Sequence, residues 1–305
     1  MPGRYVWTSA KSYKQSERRP IVSEVEELAR WISASRCAVA LTGAGVSTAS
    51  GLPDFRGPSG IWRKLDPSKF EIGAFQEDPD WVWRMFVEHF LPDADLRPNP
   101  AHLALAELES MGRLCAVITQ NVDGLHQKAG SRNVIEIHGS VRTASCTSCG
   151  RRFEMSYAAS YVRSTGKSPR CPECGGLLRP DVVFFGEPLP HDALRSAISY
   201  SSASDLFLAI GTSLTVSPAN MLPLRAKAHG ARFVIVNGEE TEMDDEADLV
   251  IRGRVEEVLP LLVQEVRRLT PRREHTSDSG HPSQLGSLRE QCALATLTSP
   301  ACISL

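Results

Sequence analysis

Apolar residues along this chain fall into short unbroken runs, each stopping abruptly at glycine and small polar residues. Cys37–Leu41 (CAVAL) runs into TGAG, Leu114–Ile118 (LCAVI) into TQNVDG, Asp205–Ile210 (DLFLAI) into GTS, and Arg232–Val236 (RFVIV) into NGE. Runs this continuous leave no face for water, which predicts strands of a mainly parallel sheet covered on both sides. Between them the apolar spacing changes to that of a helix. Val22, Val25, Leu28, Ala29 and Ile32 predict a helix over Val22–Ser33, and Leu103, Ala106 and Leu108 predict one over His102–Met111. Strands alternating with helices give an α/β chain. In such sheets ligands bind beyond the carboxyl ends of the strands, so the four polar junctions are the expected site.

The first junction, Gly43-Ala44-Gly45-Val46-Ser47-Thr48, is a G-x-G pattern with Thr48 at the third glycine. It supports two readings. Glycines let the backbone approach a pyrophosphate at the start of a following helix, or they serve a strand-to-helix turn that simply needs them. Ser50–Gly57 (SGLPDFRG) then breaks that helix early and puts Asp54, Phe55 and Arg56 beside the junction, as a ligand loop would. No acid ends the second strand to hold an adenine ribose, which counts against hydride transfer. Asn121 and Asp123 in NVDG suit an Asx turn or a ligand contact. His138 follows the strand expected at Val134–Ile137, where it is a turn residue or a base; His102, His126, Trp81 and Trp83 read as packing residues.

Eight cysteines in 305 residues are too sparse for a disulfide scaffold, and their spacing points elsewhere. Cys146 and Cys149 form one C-x-x-C, Cys171 and Cys174 another, with 21 residues between the pairs. That is the knuckle-pair spacing of a structural Zn²⁺ held by four thiolates. Gly150, Gly175 and Gly176 follow the knuckles and permit tight turns. Cys37 and Cys115 sit in strand-like runs as small core residues.

Charge narrows the function classes. Thirty-four Lys and Arg against 36 Asp and Glu give a net charge of −2, which argues against a general electrostatic nucleic-acid binder. Arg142, Arg151, Arg152, Arg163, Lys167 and Arg170 against Glu154 and Glu173 nevertheless make the zinc region basic, so nucleic-acid binding stands as a second reading. No apolar run approaches the ~18 residues of a membrane span. The first twenty residues lack the apolar core of a secretory signal and read as a solvated tail, so a cytoplasmic protein is expected. The Ser- and Pro-rich stretch at 271–305 reads as a disordered tail.

Taken in order, GAGVSTASGLPDFRG (Gly43–Gly57), TQNVDGLH (Thr119–His126), IHGS (Ile137–Ser140), the two cysteine pairs, RPDVVFFGE (Arg179–Glu187), GTSLTVSPA (Gly211–Ala219) and IVNGE (Ile235–Glu239) resemble the sirtuins, NAD-dependent protein deacylases, from about Ile21 to Leu269. The resemblance implies a Rossmann-like parallel sheet domain over 21–270, with a helical insertion at about 61–100 and a zinc-ribbon module at about 141–182. It implies that Gly43, Ala44, Gly45, Ser47 and Thr48 line the NAD diphosphate site and that Asp54, Phe55 and Arg56 form a mobile cofactor loop. Gln120, Asn121 and Asp123 would hold the nicotinamide ribose and carboxamide; Gly211, Thr212, Ser213, Asn237, Gly238 and Glu239 would hold the adenosine half. His138 would be the catalytic base, with Asn121 beside it. Val183, Phe184, Phe185, Gly186 and Glu187, together with Leu214 and Val216, would pin an extended acyl-lysine peptide by strand addition. One structural Zn and NAD are the implied cofactors. The implied reaction turns acetyl-lysine and NAD into lysine, nicotinamide and O-acetyl-ADP-ribose through an O-alkylamidate, with long-chain deacylation or protein ADP-ribosylation as alternatives.

Asp78–His89 (DPDWVWRMFVEH) resembles the segment carrying Tyr-x-x-Arg in the branch that removes succinyl and malonyl groups. Phe86 falls at the tyrosine and His89 at the arginine. Phe86 has no hydroxyl and His89 lacks a permanently charged fork, so a neutral acyl group is expected.

Overall fold

The structure is a computed structural model that describes residues 21–57, 60–91 and 96–270; both expected tails lie outside the described residues. In chain order the elements are α1 (Ile21–Ala34), β1 (Ala38–Thr42), α2 (Ile72–Glu77), α3 (Pro79–Phe90), α4 (Pro100–Ser110) and β2 (Ala116–Thr119). They continue with α5 (Leu125–Lys128), β3 (Val134–Glu136), β4 (Gly139–Cys146), β5 (Arg152–Glu154), α6 (Met155–Thr165) and β6 (Leu178–Val182). The last are α7 (His191–Ala203), β7 (Leu206–Ile210), α8 (Met221–Ala228), β8 (Arg232–Asn237), β9 (Leu249–Arg252) and α9 (Val255–Leu269).

Six parallel strands form one sheet in the order β3-β2-β1-β7-β8-β9. Strand order runs outward in opposite directions from β1 and β7, which makes their boundary the switch point. Alternate side chains enter two different cores, as the pleat requires. Ala38 and Ala40 of β1, with Leu206 and Leu208 of β7, pack on α1, α4 and α9. Val39 and Leu41, with Phe207, Phe233 and Ile235, pack on α7 and α8. Burying a side chain such as Phe207 or Phe233 stabilises the fold by about 1.5–3 kcal/mol, so both faces commit the strand positions. Helix entry is equally local. Asn99 caps α4 by accepting from the Ala101 N–H at 2.9 Å, with Pro100 at its first turn; Asp78 caps α3 from the Trp81 N–H at 3.0 Å.

A three-stranded antiparallel sheet, β5-β4-β6, carries the cysteine pairs. Its apolar face shares one core with the insertion: Trp83, Phe86 and Val87 of α3 pack with Ala158 and Val162 of α6 and Leu178 of β6. Trp83 is fully buried and its indole N–H donates to Leu178 O at 2.9 Å. The small-sheet strands thereby hold α3 over the carboxyl ends of the large sheet.

Candidate active site

The junctions after β1 and β7 touch backbone to backbone. The Gly43 N–H donates to Ile210 O at 3.2 Å and the Gly45 N–H to Gly211 O at 2.9 Å. A Cβ on Gly45 would stand 2.9 Å from that same oxygen, and one on Gly43 2.8 Å from Thr212 Cβ. The glycines are therefore required by loop contact, and the concave surface they leave is a by-product of it. The helix expected to follow does not form. Single 3-10 turns at Ala44–Val46 and Thr48–Ser50 replace it, and the left-handed Gly51 (φ 94°) ends them ahead of Pro53.

Beyond these junctions lies a cavity of about 480 Å³. Gly43, Ala44, Gly45 and Ser47 line it from the first junction, Asp54, Phe55 and Arg56 from the following loop, and Gln120, Asn121 and Asp123 from the end of β2. His138, Val183, Phe184, Phe185, Gly186, Glu187, Gly211, Thr212, Ser213, Val216, Asn237 and Glu239 complete the expected set. Three expected residues are not on its wall. Thr48 spends its hydroxyl on Gly45 O at 3.1 Å within its own turn. Leu214, at φ 59°, is buried in the core beneath α7 and α8. Gly238 is exposed between its two lining neighbours.

Polar groups on the cavity wall at the ends of β1 and β2 form one connected network. Ser47 Oγ donates to Asp123 Oδ2 at 2.7 Å and accepts from Asn121 Nδ2 at 3.1 Å, while Asn121 Nδ2 also donates to Gly43 O at 3.0 Å. Asp123 Oδ1 accepts the Leu125 N–H at 2.9 Å, so the Asx turn and the network coexist in one carboxylate. Gln120 Nε2 donates to Thr212 Oγ1 at 2.9 Å, tying β2 to β7. Behind the wall, His102 Nε2 meets Ser47 Oγ at 3.4 Å and His126 Nε2 meets Thr42 Oγ1 at 2.9 Å, with the two rings edge to face. Burial keeps both neutral, with pKa values pushed down to about 4 and about 3; Asp123 partly opposes the fall at His102, and His102 adds to the fall at His126.

His138 sits in the turn between β3 and β4 with Nδ1 3.0 Å from Gln120 O. A carbonyl only accepts, so Nδ1 carries the proton and Nε2 presents a lone pair in the neutral ring. Burial lowers its pKa and the bond to Gln120 only partly opposes this, which favours the neutral, proton-accepting form.

The four cysteine sulfurs lie within 4.8 Å of one another, with Cys146 and Cys174 3.5 Å apart and Cys149 and Cys171 3.8 Å apart. Ligands about 2.3 Å from a tetrahedral zinc are about 3.8 Å apart, so the thiols are spaced to hold one ion. Gly150 (φ 71°) and Gly175 (φ 75°) close the knuckles by donating to Cys146 O and Cys171 O. The basic charges nearby are largely committed internally: Arg142 to Glu136, Arg151 to Glu173, Arg152 to Asp181 and Lys167 to Asp80.

The Sir2 family profile matches residues 43–218. The NAD-dependent protein deacetylase 1 of Pyrobaculum aerophilum is 59% identical over 244 residues, which are 80% of this chain and 95% of that protein. The NAD-dependent protein deacylase 2 of the same organism is 48% identical over 238 residues, 78% of this chain and 94% of that one. A solved Sir2 with a deacetylated p53 peptide and 3′-O-acetyl ADP ribose superposes with a TM-score of 0.77 at 43% identity, covering 79% of this chain and 98% of that one. The chain belongs to the Sir2 family.

At the far end of this Sir2 cavity the wall is aromatic. Trp62 packs on Phe55, Phe70 and Phe185 with ring centroids 5.2, 5.3 and 5.9 Å apart, and Phe90 packs on Phe86 at 5.5 Å. Phe86 and His89 both line the cavity, and among the described residues the charged partner of His89 is Glu88, 4.0 Å away. Trp62, Phe70, Phe90 and Glu240 were not singled out from the sequence. Phe86 and Phe90 are four residues apart on α3, a spacing that would have linked them; Trp62 and Phe70 lie in an irregular stretch with no period to read.

The segment expected to receive a peptide strand is already paired on much of its length. The N–H groups of Val183, Phe185 and Glu187 donate to His138 O, Phe70 O and Phe184 O, and that of Phe184 donates to Glu187 Oε2. Strand addition here must therefore draw on Gly186 and on carbonyl lone pairs. Arg179 fixes the segment with paired bonds of 2.7 and 2.8 Å to Glu187. Burial raises the Glu187 pKa, but these bonds prevail and hold it below the usual range.

Proposed function

We propose that this protein is an NAD-dependent protein-lysine deacetylase that transfers the acetyl group of acetyl-lysine to ADP-ribose and releases nicotinamide. The observation that carries the reading is His138 on the wall of a cavity of dinucleotide size, held neutral with Nδ1 on Gln120 O so that Nε2 is its proton-accepting nitrogen. Relatives named for NAD-dependent deacetylation and solved Sir2 proteins bound to acetylated and propionylated peptides support it.

The geometry supports a role for each residue on this reading. Gly43, Ala44 and Gly45 offer a backbone floor with no side chain larger than a methyl, against which a diphosphate fits, with Ser47 and Thr212 at its sides. Asn237, Glu239 and Glu240 at the end of β8 offer acceptors for ribose hydroxyls; the acid lacking after β2 is supplied from the other half of the sheet. NAD supplies an electrophilic anomeric carbon and a leaving nicotinamide. Asn121 and Asp123, locked through Ser47, orient the ribose, and Phe55 with Trp62 keeps water from the reacting carbon. His138 Nε2 accepts the proton of the ribose hydroxyl as that oxygen bonds to the acyl carbon. The lysine nitrogen departs with its electron pair and a proton, and one water molecule, the third reactant, adds its oxygen to the acyl carbon to complete the O-acetyl product.

Cys146, Cys149, Cys171 and Cys174 would hold one structural zinc, whose four filled positions leave no open site for chemistry. The acyl end, with Phe86 and His89, favours neutral groups, acetyl first; longer chains would follow the aromatic wall. The thiol cluster needs a reducing compartment, which favours the cytoplasm. No described helix is long and apolar enough to cross a membrane.

Mass spectrometry of an acetyl-lysine peptide incubated with protein and NAD tests the reading, with succinyl and long-chain acyl peptides in parallel and His138→Ala as control. Deacetylated peptide, nicotinamide and O-acetyl-ADP-ribose are expected, all lost in the control. ADP-ribose accumulating on protein while no acyl peptide reacts would move the activity to protein ADP-ribosylation.

A further inference from the structure

His138 is held from inside the cavity by Gln120 O, and its turn is also gripped from outside. The outer grip is an Arg142–Glu136 ion pair that spans the turn, because Glu136 ends β3 two residues before His138 and Arg142 lies in β4 four residues after it. The same guanidinium reaches Ser140 Oγ through Nε at 3.0 Å, and Ser140 and Gln127 side chains lie against the Glu136 carboxyl. Three side chains thus close a ring across Ile137, His138 and Gly139. That ring is joined to the network at the ends of β1 and β2: the Val141 N–H donates to Val122 O at 2.9 Å, and the Arg142 stem passes 3.7 Å from where a Gly124 Cβ would stand. Arg142 therefore bridges the turn carrying His138 and the turn carrying Asn121 and Asp123.

An exposed ion pair contributes only about 0–1 kcal/mol to stability. This pair differs at one end: the Arg142 side chain is 52% exposed but that of Glu136 only 16%, so little water competes for the carboxylate. We infer that Arg142, paired with Glu136, is a positioning residue that sets the distance between His138 and the ribose held by Asp123. The inference rests on the deacetylase reading. In that reading the acyl oxygen first displaces nicotinamide, a step that does not call on His138, and the ribose hydroxyl then loses its proton to His138. Loosening the turn should slow the second step and spare the first.

The test compares full-length wild type, Arg142→Ala, Arg142→Lys and Glu136→Gln in two assays on an acetyl-lysine peptide. One measures deacetylation; the other measures exchange of labelled nicotinamide into NAD, which reports reversal of the first step. Misplacing a reacting group costs up to about 100-fold per ångström; for Arg142→Ala and Glu136→Gln we expect roughly tenfold lower deacetylation kcat, an NAD KM within about twofold, and retained exchange. Arg142→Lys should recover part of the loss. Deacetylation and exchange falling together, or neither changing, would overturn the inference alone. A wild-type protein that catalyses neither reaction would remove the deacetylase reading and this inference with it.

Discussion

The two sheets of this protein solve the stability problem differently. Every residue of β1 and β7 is buried, and their alternate side chains fill separate cores. In the small sheet β5 is largely exposed, only two residues of β4 are buried, and one shared core serves the module and the insertion together. A sheet covered on both faces is stable through burial and can leave its strand ends polar; a sheet covered on one face needs a cross-link, which four converging thiols are placed to provide. The division is also functional. On the proposed reading, junctions of the large sheet would hold the cofactor, while the module positions α3 and the segment after β6, which would form the acyl and peptide side.

The hardest test of that contrast is to take away the metal. Zinc-binding free energies of about 10–16 kcal/mol exceed what one half-covered sheet can replace, so Cys171→Ser should abolish metal binding and activity. Hydrogen exchange is expected to show β4–β6 and α6 unprotected while β1, β2, β7 and β8 stay protected; uniform loss of protection would mean that the halves are not separable. His138→Ala should leave both halves folded and lower deacetylation by about 10²–10⁴-fold, read as product formed per minute with an unchanged melting temperature. On the module side, Phe86→Tyr with His89→Arg should raise activity on succinyl-lysine about tenfold or more relative to acetyl-lysine, through charge-assisted bonds to the new carboxylate; unchanged preference would place the acyl end elsewhere. On the cofactor side, Gly45→Ala should cost about 1–3 kcal/mol from the clash with Gly211 O and raise the KM for NAD, measured by denaturant unfolding and initial rates.

Acid should act on the large-sheet half through buried histidines, with the smallest effect. His102 and His126 have folded pKa values of about 4 and about 3, below the unfolded value near 6.5. The unfolded chain therefore binds protons first as pH falls, so their stabilisation is complete above about pH 6.5 and is lost from there down through about pH 4 to 3. The melting temperature should decline by a few degrees between pH 7 and 5, and less in His126→Gln, where one titrating group is gone.

Legibility in the sequence followed local physics. β1, β2, β7 and β8 appeared as unbroken apolar runs because both sheet faces are covered, and α1 appeared through Val25, Leu28, Ala29 and Ile32, although Val22 is exposed. The helix α4 forms, but on a different face from the one read: Leu103 is exposed, and Ala101, Ala104, Leu105 and Leu108 are buried. The thiol cluster was readable because knuckle spacing is itself a geometric constraint. β9 (Leu249–Arg252) escaped because four residues with one buried side chain make no pattern, and α2 because six residues are too few to show a period. The helix read after Gly45 was wrong for a non-local reason: the chain there packs on Gly211, and contact with β7 overrode the local preference.

What the sequence determined by itself is the type of each junction and the inventory of groups it carries: glycines that can approach closely, an imidazole two residues past a strand, four thiols in two knuckles. Those properties reside in residue chemistry and short spacing. Only the tertiary structure decided which of these groups face one another. Leu214 turned inward while Val216 lines the cavity, Thr48 spent its hydroxyl on its own turn, Glu240 joined Glu239 at the end of β8, and Arg142 closed over His138 from β4. Such outcomes depend on contacts between segments far apart in the chain, where burial and loop packing, not local preference, set the geometry.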